Sequence, residues 1–228
     1  MLTKIPSFLR FFFPKRLWKI ATEEKTLYLS FDDGPIPEVT PWVLQQLKKY
    51  NAGATFFCIG DNIKKHPEIF QMLVSEDHST GNHTFNHLNG WKTSSETYLK
   101  NSFLAEEAIR AGSESPIEKR RENKEKRKES KPGNVKLFRP PYGKMTGRQA
   151  RHLQQRDYRI IMWDVLSRDY NKNLSPEKCF RNVVKHTRPG SIIVFHDSLK
   201  AEKNLRAVLP RILEYYSSKG YEFRKIQL

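Results

Sequence analysis

Residues 26–35 read Thr26-Leu27-Tyr28-Leu29-Ser30-Phe31-Asp32-Asp33-Gly34-Pro35. The apolar run that begins at Thr26 is that of a strand, and Gly-Pro stops it. Two adjacent carboxylates at the end of a strand resist joint ionisation unless a cation or a proton lies between them. The strand therefore ends in chemistry rather than in an ordinary turn. Three further polar stretches lie downstream: Gly81-Asn82-His83-Thr84-Phe85-Asn86-His87, Arg139-Pro140-Pro141-Tyr142-Gly143 and Val194-Phe195-His196-Asp197.

Around these stretches, apolar runs alternate with amphipathic ones, which predicts an α/β domain with a mainly parallel sheet. Strands are predicted at 26–31, 54–60, near Thr80, and at 136–139, 159–164, 191–195 and 221–226. Helices are predicted at 40–50, 94–111, 146–157, 175–186 and 202–219, the fourth opened by a Ser175 cap with Pro176 in its first turn. Every polar stretch falls at the carboxyl end of a predicted strand, the end that carries the active site in barrels of parallel strands. A chain of 228 residues is long enough for one such domain with a full core.

His83 and His87, four residues apart, are expected on one face of a helical turn. Two histidines with one carboxylate form a common facial set for a catalytic metal. With Asp-Asp upstream and His-Asp downstream, the set predicts a metal-dependent hydrolase that has a base, a positioning arginine and an acid.

Taken in order, Ser-Phe-Asp-Asp-Gly-Pro, His-Thr-x-x-His, Arg-Pro-Pro-Tyr-Gly and Val-Phe-His-Asp resemble the polysaccharide deacetylase family (carbohydrate esterase family 4), over residues 26–226 apart from one charged insertion. The resemblance implies a distorted (β/α) barrel with about seven strands and hydrolysis of acetyl groups on sugar polymers. It makes Asp33, His83 and His87 the ligands of one divalent metal, with zinc expected and cobalt, manganese, nickel and iron compatible. Asp32 becomes the general base, Arg139 the group that orients it, Tyr142 an oxyanion donor through its backbone N–H, and His196 the general acid. The implied substrate is an N-acetylglucosamine-type residue of peptidoglycan or a chitin-like polymer. An O-acetyl esterase and an inactive basic wall-polymer binding protein stay open as alternatives.

One stretch departs from the family pattern. Where the family shows Asp-x-x-Asp-Trp, this chain has Leu166, Asp169 and Tyr170. The carboxylate expected to tune the acid is replaced by Leu166. Without compensation from Asp164 or Asp197, His196 is then expected to titrate near or below the imidazole reference of about 6.5.

The formal charge of +16 points to an anionic envelope or membrane surface as a neighbour. Nucleic acid is a poor fit, because no recognition motif accompanies the charge. Residues 1–25 read as a basic N-terminal arm, with Lys4, Arg10, Lys15, Arg16 and Lys19 and no acid before residue 21. That arm either packs over the barrel bottom or lies on a membrane surface. Its Phe11-Phe12-Phe13 patch is cut by Pro14, too short for a secretory core. No stretch reaches the roughly 18 apolar residues of a membrane span, which leaves cytoplasmic and envelope-associated locations open. Residues 26–228 form the catalytic domain, interrupted at 112–134 by a stretch with eight basic and five acidic residues, read as a mobile loop or a solvated helix extension. Cys58 and Cys179 are expected as ordinary buried thiols.

Overall fold

The computed structural model describes residues 3–4, 11–113 and 135–228. The sequence reading of 112–134 therefore lies outside the described residues, save for Gly112 and Ser113 at a helix end.

The strands are β1 (Arg16–Leu17), β2 (Thr26–Asp32), β3 (Ala54–Cys58), β4 (Ser79–Asn82), β5 (Lys136–Phe138), β6 (Tyr158–Ile161), β7 (Val165–Leu166), β8 (Ile192–His196) and β9 (Glu222–Phe223). They run in the order β1-β6-β5-β4-β3-β2-β8-β7, with β9 also on β2, and every ladder is parallel. This is the distorted (β/α) barrel of the sequence expectation. Among the described residues it has nine strands rather than about seven because β1 and β7 are two-residue strands, too short to leave a periodic signal.

Among the described residues the helices are α1 (Thr40–Lys48), α2 (Gly60–Lys65), α3 (Pro67–Ser75), α4 (Ser95–Ser113), α5 (Gly147–Gln154), α6 (Pro176–His186) and α7 (Glu202–Ser217). The sequence reading assigned no helix between β3 and β4. That connection is two short helices divided at His66-Pro67, where the proline opens α3 and cannot continue α2.

Side chains alternate across each strand, and here the alternation sorts function from packing. Leu27, Leu29 and Phe31 of β2 join Phe56 and Phe195 in the cluster that receives Val43, Leu44 and Leu47 of α1 and Leu205, Val208, Leu209 and Ile212 of α7. The Phe31 ring stacks on Phe56 and Phe195 at 5.0 and 6.1 Å. The opposite parity looks into the barrel: Tyr28 packs there with Phe57, Leu137, Ile161 and Ile192. Ser30 and Asp32 share the parity of Tyr28, Arg139 that of Leu137, and His196 that of Ile192 and Val194. The polar groups at these strand ends therefore converge on the barrel mouth.

β6 and β7 are sequence neighbours that do not pair with each other. Along that seam Met162 N–H donates to Leu17 O at 2.7 Å and Leu166 N–H to Thr3 O at 2.8 Å. Lys4 bridges antiparallel to Val165, and Lys19 to Ser191. The Lys4 ammonium reaches the buried Asp164 carboxylate at 2.7 Å, which also accepts from Ser191 Oγ at 2.6 Å. Cys58 and Cys179 are both buried free thiols, as expected.

Candidate active site

Asp32 ends β2 level with His196 of β8, its partner in the ladder register. The turn that follows, with Asp33 at φ 85°, carries the second carboxylate out over the mouth. Two groups hold this turn from below. Asn62 Nδ2 donates to Asp33 O at 2.8 Å, and Asp197 accepts the Gly34 N–H at 3.0 Å and the Thr40 hydroxyl at 2.6 Å. Burial pushes the Asp197 carboxyl up to about 8, against the downward pull of the Thr40 and Gly34 hydrogen bonds. Gly34 is required there: a Cβ would sit 1.9 Å from Asp197 Oδ2. Asp197 is the floor of the Asp33 turn.

His83 and His87 come together differently from the sequence expectation. They lie on a loop after β4, not on a helical turn, and the loop bends through left-handed conformations at Thr84 (φ 63°) and His87 (φ 54°). Side chains replace the missing helical hydrogen bonds: Asn82 Oδ1 accepts from Thr84 N, Asn101 Oδ1 from Phe85 N and Asn86 N, and Thr84 Oγ1 from Leu88 N. Residues three and four apart meet in a helix, but a loop pinned from α4 achieves the same pairing.

The metal-binding expectation can be tested on this donor set. His83 Nδ1 lies 2.7 Å from the Arg139 carbonyl. A carbonyl only accepts, so Nδ1 carries the proton and Nε2 presents its lone pair. Burial lowers the His83 pKa to about 4 despite Asp32 nearby, which keeps the ring neutral. His83 Nε2 and His87 Nε2 lie 3.8 and 3.3 Å from Asp33 Oδ1, a buried oxygen without a hydrogen-bond partner. Two ligands of a tetrahedral ion bound at about 2.1 Å are about 3.4 Å apart. Burial works against ionisation of Asp33, but His87, His196 and His83 outweigh it and hold the carboxyl well below its usual range. Asp33, His83 and His87 fit one divalent ion.

Arg139, at the end of β5, is fully buried and fully partnered. Its guanidinium donates to Asp32 Oδ1 at 2.7 Å, Ser30 Oγ at 2.8 Å, Met162 O at 3.0 Å and Ile161 O at 3.3 Å, and it lies 4.0 Å over the Phe57 ring. Burial lowers its pKa, and Asp32 opposes the shift. A planar fork held at this many points fixes one carboxylate orientation. The following Pro141–Gly143 turn carries Tyr142 at φ 59°, its exposed ring 4.6 Å from that of His87.

The structure corrects the expectation for His196. Leu166 lines the cavity wall, and Asp164 is engaged by Lys4 and Ser191. Asp169, buried just beyond β7, takes over: Oδ1 meets His196 Nδ1 at 2.8 Å and Oδ2 accepts the His196 backbone N–H at 2.8 Å. Burial alone would lower the imidazole pKa, but Asp169 outweighs it, assisted by Asp33 and Asp32, and the value rises to about 9. Sequence reasoning noted that Asp169 was present yet assigned it no role. Its signal was its place before Tyr170, whose ring packs edge-on to His196 at 5.0 Å.

Asp32, Asp33, His83, His87, Tyr142 and His196 all line one cavity of about 380 Å³, and Arg139 lies behind Asp32. Trp163, Leu166 and Val194 give it an apolar side, and Lys200 stands at its edge. Trp91 lies outside that wall; it is exposed, with its indole N–H on Met145 O.

A parallel β/α barrel whose mouth joins an Asp-His-His cluster to an arginine-held carboxylate and a carboxylate-held imidazole defines a hydrolase-type site. The family model for polysaccharide deacetylase matches residues 19–161, more than half of the chain, and the chain belongs to that family. Over 209 residues it is 31% identical to a peptidoglycan-N-acetylglucosamine deacetylase of Bacillus cereus, covering 90% of this chain and 88% of the relative. A chitooligosaccharide deacetylase of Azorhizobium caulinodans is 33% identical over 181 residues, 78% of this chain and 77% of that one. Among solved structures, the Bc1960 peptidoglycan N-acetylglucosamine deacetylase, in complex with 4-naphthalen-1-yl-N-oxidanyl-benzamide, superposes with a TM-score of 0.81 at 27% identity, covering 97% of this chain and 95% of that one.

Proposed function

We propose that this chain is a metal-dependent N-deacetylase that hydrolyses the acetamido group of N-acetylglucosamine-type residues in peptidoglycan or a chitin-like polymer, releasing acetate. The observation that carries the reading is the placement of Asp32 and His196 at the ends of neighbouring strands, beside the Asp33, His83 and His87 donor set. The names of the relatives support the substrate class.

In this reading Asp33, His83 and His87 hold the ion, zinc or one of the compatible divalent metals. Such an ion lowers the pKa of water from about 15.7 to about 7 and polarises the acyl oxygen. Asp32, held in one orientation by Arg139, accepts the proton of the attacking water. The Tyr142 N–H stabilises charge growing on the acyl oxygen. The apolar side formed by Trp163, Leu166 and Val194 receives the acetyl methyl group. An amide nitrogen leaves only when protonated, and His196, charged near neutrality through Asp169, delivers that proton. A strongly held acid suits an amide more than an ester, whose alkoxide needs it less.

Acetate release from N-acetylglucosamine oligomers and peptidoglycan fragments, before and after chelation and after metal restoration, tests the reading. Metal-dependent release is expected. Absence of release from both substrates with metal restored, or release indifferent to the chelator, would overturn it.

A further inference from the structure

Phe11, Phe12 and Phe13 are consecutive, exposed by 85%, 67% and 42%, and part of none of the core clusters. The Phe11 and Phe12 rings meet edge to face at 6.3 Å, and Phe13 lies under the Arg16 guanidinium at 4.3 Å. A run of exposed phenylalanines is unfavourable in water unless something apolar receives it.

A basic face adjoins them. β1 lies alongside β6, with Arg16 opposite Ile160, and Gln154 of α5 donates to Lys15 O at 3.2 Å. This brings Lys15 and Arg16 beside the segment 151–159, which carries the exposed Arg151, Arg156 and Arg159 and one acid, Asp157; Lys15 and Arg159 line one surface pocket. Lys15, two residues after Phe13, lines a surface pocket with Val135, Tyr158 and Arg159 at the amino ends of β5 and β6. The candidate active site lies at the carboxyl ends.

We propose that this surface docks the protein on an anionic lipid bilayer, with Phe11 and Phe12 entering the interface and the basic face resting on the headgroups. Charge complementarity selects the anionic partner, and the exposed rings select a bilayer over a hydrated polyanion, which has no apolar region to receive them. The barrel mouth is then turned away from the lipid. The proposal does not rest on the deacetylase reading.

Co-sedimentation of the full chain with phosphatidylglycerol-containing vesicles and with pure phosphatidylcholine vesicles, at low and high salt, tests it. Partition onto the anionic vesicles is expected to exceed that onto phosphatidylcholine by about tenfold or more and to weaken with salt. The double variant Phe11→Ser, Phe12→Ser is expected to lose at least about tenfold of that partition with an unchanged thermal midpoint, since neither ring packs in the core. Arg151→Gln with Arg156→Gln should weaken the salt-sensitive part alone. Equal binding to both vesicle types, no binding by the parent chain, or full binding by the phenylalanine variant would each overturn the proposal. So would parent and phenylalanine-variant chains that bind soluble dextran sulfate equally well while neither binds vesicles, since that points to a polyanion.

Discussion

At the residue scale, Asp169 sets the behaviour of His196. The folded imidazole titrates at about 9 because Asp169 outweighs the effect of burial, whereas an unfolded one titrates near 6.5. The folded state therefore binds the proton more tightly. The stability this contributes is present in full below about pH 6.5 and is lost as pH rises through about 9. A cation on Asp33 removes that carboxylate's contribution but leaves that of Asp169. Asp169→Asn should flatten the stability slope in this window, seen as denaturant midpoints that no longer fall from about pH 6 to about pH 9.5, and should move the alkaline limb of kcat to lower pH. An unchanged slope and limb would assign the tuning elsewhere. In the proposed reading, Asp32→Asn keeps the shape of the site but removes the proton acceptor. Metal stoichiometry should persist while kcat/KM falls by about 10²–10⁴-fold. A fall below tenfold, measured by acetate release, would give the base role to another group.

The turn after β2 is the element on which the site depends. It must leave the strand at once, lift Asp33 over the mouth and leave Asp32 inside, and Asp197 holds it through the Gly34 N–H and Thr40. Only a residue without a Cβ fits at Gly34. Gly34→Ala should lower stability by roughly 1–3 kcal/mol, as overpacking does, and weaken metal binding by displacing Asp33. Urea midpoints and metal titration check both, and two unchanged values would show that the turn yields at no cost. The histidine loop teaches the opposite lesson about spacing. His-x-x-x-His was read as a helical face, whereas Asn82, Asn101 and Thr84 pin it as a loop with two left-handed residues. Side-chain hydrogen bonds from a helix fifteen residues away carry no periodic signature.

For the whole molecule, the seam between β6 and β7 is held by residues from the start of the chain, and a buried carboxylate marks it. Asp164 is fully buried with Lys4 and Ser191, and the Lys4 side chain is 34% exposed. Lys4→Met removes one cation from that carboxylate. Partial exposure of Lys4 reduces the usual cost of breaking a buried pair, and a loss of roughly 1–3 kcal/mol is expected. The double variant Lys4→Met, Asp164→Asn should recover part of this loss, and strictly additive midpoints would refute the coupling. No described helix is long and apolar enough to cross a membrane. What the sequence by itself determined was local. Alternation and helical periodicity set the order of strands and helices, and the strand-end motifs named Asp32, Asp33, His83, His87, Arg139, Tyr142 and His196, which are drawn together here. The tertiary structure alone decided that Asp169 rather than Asp164 or Asp197 serves His196, that Asp197 supports Gly34, and that residues 3–4 and 16–20 line the seam. Each of these is a contact across the barrel, between residues up to 172 positions apart. Local periodicity reports which face a side chain takes, but the curvature of the sheet determines which distant side chain it meets.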